Sequence, residues 1–303
     1  MGMPCVSRVW TLNLLVALDV LLTVRNVSRA ADILCLSQSA TSGALARLRD
    51  YFGDELLVQV GRKMVLPPRA ATLSDRVRSA LVQIDGTIIQ KPGFDPQTAE
   101  RQISVITSDF VAVVALTDAI RFINAQAPRL SFVIEPPLDR PRERLERGDI
   151  DLLLMPQRYL SLDHPSEPLF SDRYCVAVWA NSAKFGETIS EQEFFDARHV
   201  TVKFPSMMPS YETWFIKQRG GDGKIDAVVG SFLAMPFMLA GTDRLAVMHE
   251  RLAQIFSRVL PIRIIPCPID IPDVVECLQW HSFNAADECL AWVRQEFHAL
   301  VRN

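Results

Sequence analysis

Gln38, Ser42 and Arg49 carry an amide, a hydroxyl and a guanidinium, groups that can pair with base edges in a DNA major groove. At about 100° per residue they share one side of a candidate helix over 37–51, with Ser39 and Ala46, while Ala40, Thr41, Ala44 and Leu48 gather on the other. Farther along, Gly61-Arg62-Lys63 sits between two short β-prone runs, so both cations would ride on a hairpin tip and could meet phosphates. Residues suited to covalent chemistry form no constellation. Gly220-Gly221-Asp222-Gly223 lacks the strand-turn-helix setting of a phosphate cradle, Asp149 and Asp151 open a buried strand, and no motif joins His199 to Cys175. The six cysteines include no CxxC pair and no zinc-like partner histidine, so neither metal nor cofactor is expected.

The elements that must hold these groups follow from periodicity. Leu14, Leu15, Leu18, Leu21 and Leu22 form the stripe of a core helix over 12–25. Ser28 can cap a second helix over 29–35, and Ser37 can cap the third, which together make a helix-turn-helix. Pro67-Pro68 halts the hairpin and opens a further helix, in which Leu73, Val77, Leu81, Ile84 and Ile88 fall three or four apart. That stripe is expected to be a dimer seam, packing within its own domain being the alternative.

Charge divides along the chain. Residues 1–91 hold 11 Lys/Arg against 7 Asp/Glu; the totals of 32 and 35 leave 21 against 28 for 92–303, a basic head on an acidic body. Hydrophobic residues make up 49% and charged ones 22%, as in folded soluble proteins. The apolar run 12–22 is interrupted by Asn13 and Asp19 and lacks a small-residue cleavage site, and no stretch reaches membrane-spanning length, so a cytoplasmic protein without membrane partners is expected.

Beyond Pro92-Gly93, apolar runs alternate with helical patterns. Strands are expected at 102–107, 130–134, 150–155, 174–179, 200–202, 227–229, 245–248, 262–265 and 277–280. Helices are expected at 110–126, 142–147, 191–197, 211–218, 233–240 and 284–300. A doubly wound α/β sheet binds ligands at its strands' carboxyl ends. Those ends carry Thr107, Ser108, Asp109, Phe110, Met155, Lys203, Phe204, Ser206, Ser231 and Phe232, a set suited to a small aromatic or phenolic ligand that pairs with Lys203 when acidic.

Ala30-Ala31, Leu34, Ser37-Gln38-Ser39-Ala40-Thr41-Ser42, Asp54-Glu55-Leu56-Leu57 and Pro68-Arg69-Ala70 resemble the signature of LysR-type transcription regulators. Ser39 and Leu57 depart from the commoner Pro and Phe. Arg147-Gly148-Asp149-Ile150-Asp151, the run His199 to Phe204 and Leu278-Gln279-Trp280 are similar to the NodD-like branch. The resemblance implies a winged helix-turn-helix over 1–69, a linker helix over 70–91 and an effector domain over 92–303. That domain would have periplasmic-binding-protein-like lobes at about 101–171 with 272–303 and at about 172–271. It also implies a dimer or tetramer on promoter DNA, RNA polymerase as a partner, and DNA contacts from Ser37, Gln38, Ser39, Thr41, Ser42, Arg49, Arg62 and Lys63. The expected function is activation of an aromatic or chloroaromatic degradation pathway in response to a phenolic or hydroquinone-like effector. The alternative is a flavonoid-responsive nodulation-gene activator, and the remote ones are an enzyme or a solute-binding protein.

Overall fold

The computed structural model describes residues 11–61, 63–84, 93–138, 140–204, 210–219 and 224–301. The chain divides into compact units at Met1–Gln90 and Lys91–Asn303.

In the first unit, helix α1 (Leu12–Val24) starts where the Thr11 side chain accepts a hydrogen bond from the Leu14 amide, and Leu18, Leu21 and Leu22 are fully buried along it. Helix α2 (Val27–Leu34) is capped by Asn26, whose side chain accepts from the Arg29 amide at 3.0 Å; Ser28, the expected cap, lies inside the helix. Asn26 takes the cap because its backbone is extended while Val27 is already helical. Helix α3 (Gln38–Phe52) begins as expected at Ser37, which accepts from the Ala40 amide at 3.1 Å. It stops at Gly53, whose φ of 57° suits a residue without Cβ.

Strands β1 (Val58–Val60) and β2 (Lys63–Val65) pair antiparallel with Val58 opposite Val65, and Gly61 turns between them with φ 64°. Helix α4 (Pro68–Ile84) follows. Its apolar stripe is used inside this unit. Val77 is buried in the core formed by α1 and α3, Leu73 and Leu81 pack against that core, and Arg78 pairs with the buried Asp19 of α1 at 2.5 Å. Val77 thus packs within its own unit, the alternative weighed for this stripe, while Leu73 and Leu81 are only half-buried. Ile84 is half-buried, and Ile88 lies outside the described residues.

The second unit contains two five-stranded sheets. The first has the order β4-β3-β5-β12-β6, from β3 (Arg101–Ile106), β4 (Leu130–Glu135), β5 (Leu152–Pro156), β6 (Ser166–Asp172) and β12 (Val274–Trp280). The second has the order β11-β7-β10-β8-β9, from β7 (Tyr174–Trp179), β8 (Arg198–Val202), β9 (Lys224–Val229), β10 (Arg244–His249) and β11 (Ile262–Pro266). In each sheet the central strand, β5 in the first and β10 in the second, pairs parallel on one side and antiparallel on the other. The chain crosses between sheets after β6 and returns after β11, so the first lobe is discontinuous, the second is one stretch of chain, and the two share one core.

Helices cover the sheets: α5 (Asp109–Val111), a π turn (Ala112–Leu116) and α6 (Thr117–Gln126) run on without a break, and α11 (Glu288–Val301) packs beside α6. Around the rest lie α7 (Pro141–Glu146), α8 (Glu191–Asp196), α9 (Tyr211–Arg219) and α10 (Glu250–Ser257). The expected helix at 233–240 is replaced by the short 3-10 turns Phe232–Ala234 and Pro236–Met238, because Pro236 has no amide to donate and disfavours continuous helix before it. β6 and α10 were not anticipated: β6 carries Pro168 within an alternating run, and α10 follows β10 with no separating turn residue.

Val77→Asp should therefore unfold the first unit before it separates subunits. Burying an unpaired carboxylate there should cost about 3 kcal/mol or more, read as protection lost from α1 amides in hydrogen exchange. Unchanged protection with subunit dissociation would restore this stripe as a seam.

Candidate functional site

Helix α3 presents one polar face. Gln38, Ser39, Ser42, Gly43, Ala46, Arg47 and Asp50 are exposed, whereas Thr41, Ala44, Leu45 and Leu48 are buried. Thr41, expected among the DNA contacts, is 0% exposed and donates its hydroxyl hydrogen bond to the Ser37 carbonyl at 3.1 Å, so it packs rather than reads. Ala40, expected to pack, is exposed. Arg49 is also corrected. Its guanidinium donates to the carbonyls of Glu55 at 2.7 Å and Leu57 at 2.8 Å and pairs with the Glu55 carboxylate at 3.4 Å, tying the end of α3 to the segment that enters the wing. Its place beside Leu45, at the rim of the buried arc, turns it inward. Ser37 is the helix cap, and its hydroxyl also bonds Ser39 at 3.0 Å. Arg47 was missed: it is exposed on the same side as Gly43 and has no hydrogen bond or ion pair among the described residues. Arg62 lies outside the described residues, and Lys63 stands in β2 opposite Val60.

In the second unit a small, partly open cavity lies at the strands' carboxyl ends between the sheets. Ser108, Phe110, Met155, Phe204 and Phe232, all expected, line it. Tyr159, Tyr174, Ser210, Tyr211, Glu212, His249 and Glu276 line it as well and were not anticipated. The His249 ring stacks on Phe110 with centroids 3.7 Å apart, and Phe232 meets His249 edge-on at 4.9 Å. Ser108 also caps α5, accepting from the Val111 amide at 3.2 Å, which aims the π turn's helix at the cavity.

Four expected residues do not line the cavity. Thr107 is buried behind it. Asp109 instead joins the lobes, accepting from the Ser231 hydroxyl at 2.5 Å and from the Phe232 and Leu233 amides at 3.3 and 3.2 Å. Ser231 is thereby committed to Asp109. Lys203 is exposed and its side chain does not reach the lining, since the alternation of β8 buries Val202 and Phe204 on either side of it. Ser206 lies outside the described residues.

Residues 12–71 match the family model described as bacterial regulatory helix-turn-helix protein, lysR family, and residues 96–301 match the LysR substrate binding domain. The chain belongs to the LysR family of transcription regulators. It is 39% identical over 285 residues to nodulation protein D 1 of Mesorhizobium japonicum, covering 94% of this chain and 91% of that one. Full-length OxyR from Pseudomonas aeruginosa superposes with a TM-score of 0.72 at 16% identity, covering 96% of this chain and 95% of that one. A probable transcriptional regulator of the same organism gives 0.65 at 27% identity, over 97% and 98%.

This LysR-type DNA-binding regulator shows no catalytic assembly at the pair considered from sequence. The His199 ring bonds the Phe194 carbonyl at 2.7 Å, while the Cys175 thiol, pushed up to about 12 by burial, donates to the Met248 carbonyl. Asp151 holds Arg101 and the Ser104 amide, and 220–223 lies outside the described residues. Among the described residues no group of metal-ligating side chains assembles, and no helix is long and apolar enough to cross a membrane.

Electrostatically the regulator's cavity is acidic. Burial raises Glu212 to about 7 and, with Asp172 nearby, Glu276 to about 8; burial lowers His249 to about 3. Tyr174 is raised well above its ordinary value by burial. The two carboxyls favour the protonated folded state, so they stabilise it at low pH and lose that contribution as pH climbs through 7 and 8. His249, held neutral, destabilises only below its ordinary value of 6.5. Between pH 6.5 and about 8.5 stability should therefore fall, by at most about 1.4 kcal/mol per pH unit for each carboxyl. Denaturant titrations across that window should show the decline, and Glu276→Gln should flatten its upper part. A pH-independent midpoint in the unmodified chain would contradict the assignment.

Proposed function

We propose that the chain is a ligand-controlled regulator of nodulation-type genes, acting as an activator through promoter DNA and, downstream, RNA polymerase. In this reading 1–69 binds DNA, 70–91 links, and 92–303 senses a small aromatic molecule across lobes at about 101–171 with 272–303 and about 172–271. The observation that carries it is a capped helix with an uncommitted polar face in one unit, joined in one chain to a cavity rich in aromatic rings at the strand ends of another. The relatedness to nodulation protein D 1 supports nodulation over the aromatic-degradation reading that the sequence first suggested. The flavonoid-type inducer named with that alternative is compatible with a cavity walled by Phe110, Phe204, Phe232, Tyr159 and Tyr211.

For DNA we assign base contacts to Gln38, Ser42 and Arg47, a supporting role to Ser39, and phosphate contacts to Arg62 and Lys63. Gln38→Ala or Arg47→Ala should weaken binding to the cognate site by about 1–3 kcal/mol and random DNA by less, with folding unchanged. Arg49→Ala should instead lower the stability of the first unit, since two carbonyls lose their donor. Fluorescence-anisotropy titrations on specific and scrambled duplexes separate these outcomes. Equal losses on both duplexes for Gln38→Ala would remove it from base reading.

Self-association we place on apolar residues left exposed at the sheet edges: Ile134 on β4 with Phe122 on α6, and Ile225 and Val228 on β9. Phe122→Asp combined with Val228→Asp should shift the sedimentation coefficient toward the monomer at micromolar protein. Retention of the oligomer would move the interface elsewhere.

A further inference from the structure

The cavity wall is mostly apolar and aromatic, yet four polar side chains in it carry buried atoms with no hydrogen-bond partner among the described residues. These are the Tyr174 hydroxyl, Nδ1 of His249, and one carboxyl oxygen each of Glu212 and Glu276. Glu212 and Glu276 are 3% and 2% exposed, buried as deeply as the apolar core. They come from different lobes. Glu276 interrupts the apolar run of β12 in the first sheet, and Glu212 stands in the first turn of α9, which belongs with the second. The remaining oxygen of Glu212 accepts from the Ser210 hydroxyl.

No Lys or Arg lines the cavity among the described residues. Arg158 is outside the lining and lies over the rings of Trp214 at 4.3 Å and Tyr211 at 5.3 Å. The charged neighbour of Glu276 is another acid, Asp172. A buried carboxyl in such surroundings wants a donor, and a ligand carboxylate brought in beside it would have to leave water with no cation among the described lining residues to offset its charge. Burial, which lifts both glutamates toward neutrality, acts in the same sense, because each then gains most from a donor that lets it ionise.

We propose that Glu212 and Glu276 are the selectivity pair of this cavity. One from each lobe, they take the hydroxyl or ammonium donors of a flat aromatic ligand and disfavour an aromatic carboxylate of similar size. This rests on the ligand-sensing role proposed above, and it reverses the expectation that Lys203 would favour acidic effectors.

The test is calorimetric titration of the full chain at neutral pH with three matched phenols: tyramine, tyrosol and 4-hydroxyphenylacetate. They differ in ending in an ammonium, a hydroxyl or a carboxylate. At least one of the donors should bind about tenfold or more tightly than the carboxylate, and which of the two leads tells whether ammonium or hydroxyl is the preferred source. In the double variant Glu212→Gln with Glu276→Gln the gap should shrink to about threefold or less. A carboxylate that binds as well as both donors, an unchanged gap in the double variant, or no binding of any probe up to about 10 mM overturns the proposal. Should the double variant fail to fold, the order of affinities in the unmodified chain decides alone. Gel retardation of DNA from upstream of the chain's own gene, run in parallel, reports on the regulator reading: its failure refutes that reading whatever order the phenols take.

Discussion

Burying Glu212 and Glu276 among aromatic rings takes two carboxyl groups, one from each lobe, out of water with no cation in the cavity wall among the described residues. The lobes are held together at the periphery instead. Asp109, from the first lobe, gathers the Ser231 hydroxyl and two amides of the second, and its charge sits favourably at the start of the helical run over 109–126. Arg158 leans across onto Tyr211 and Trp214. Polar satisfaction is thus complete at the joints and incomplete at the centre. A ligand that completed it at the centre would favour the lobe arrangement that brings Glu212 and Glu276 together, and only such differential affinity can shift a conformational equilibrium.

The same accounting of committed polar groups explains which residues of α3 remain for DNA. Ser37 and Thr41 bond the helix's own first turn, and Arg49 holds the approach to the wing. What is left outward is Gln38, Ser42 and Arg47, with Gly43 between them. A Cβ at Gly43 would meet nothing within 4 Å, and its backbone is helical, so nothing inside this unit requires a glycine there. Glycine in a helix is less stable than alanine by about 0.5–1 kcal/mol. Close approach of another molecule's backbone to the middle of this face is the physical reason that would retain it, and a DNA groove supplies one.

Much of the fold was legible because it rests on local signals. The leucine stripe of α1, the Ser37 cap and the glycine turn of the wing are each readable within a few residues, and the continuous apolar run of β5 needs only its neighbours. The cavity was half legible. Residues at strand ends, such as Phe110, Phe204 and Phe232, follow from topology, whereas Tyr159, Tyr211 and His249 come from turns and helices whose placement depends on the whole sheet. Glu276 did leave a trace, as a carboxylate amid Val274, Val275, Cys277 and Leu278 on a strand buried on both faces. Arg49 shows the opposite case. Its angular position matches that of a DNA-reading residue, and only the carbonyls of Glu55 and Leu57, brought back by the turn at Gly53, reveal that it is spoken for.

The stripe on α4 carries the more general point. Periodicity shows that a face is apolar and says nothing of which surface covers it. Here α1 reaches the stripe first, because Leu18 and Leu22 need covering within the same short unit and because Asp19 finds Arg78 one turn along the helix from Leu81 and next to Val77. An intramolecular partner is present at far higher effective concentration than a second chain, so it wins unless its face is too small. The association proposed above between copies uses apolar surface that no described element of the same chain covers. The sheet edges fit that description: β4 and β9 each end a sheet, and Ile134, Ile225 and Val228 stand exposed on them with their outer backbone edge unpaired by any strand among the described residues.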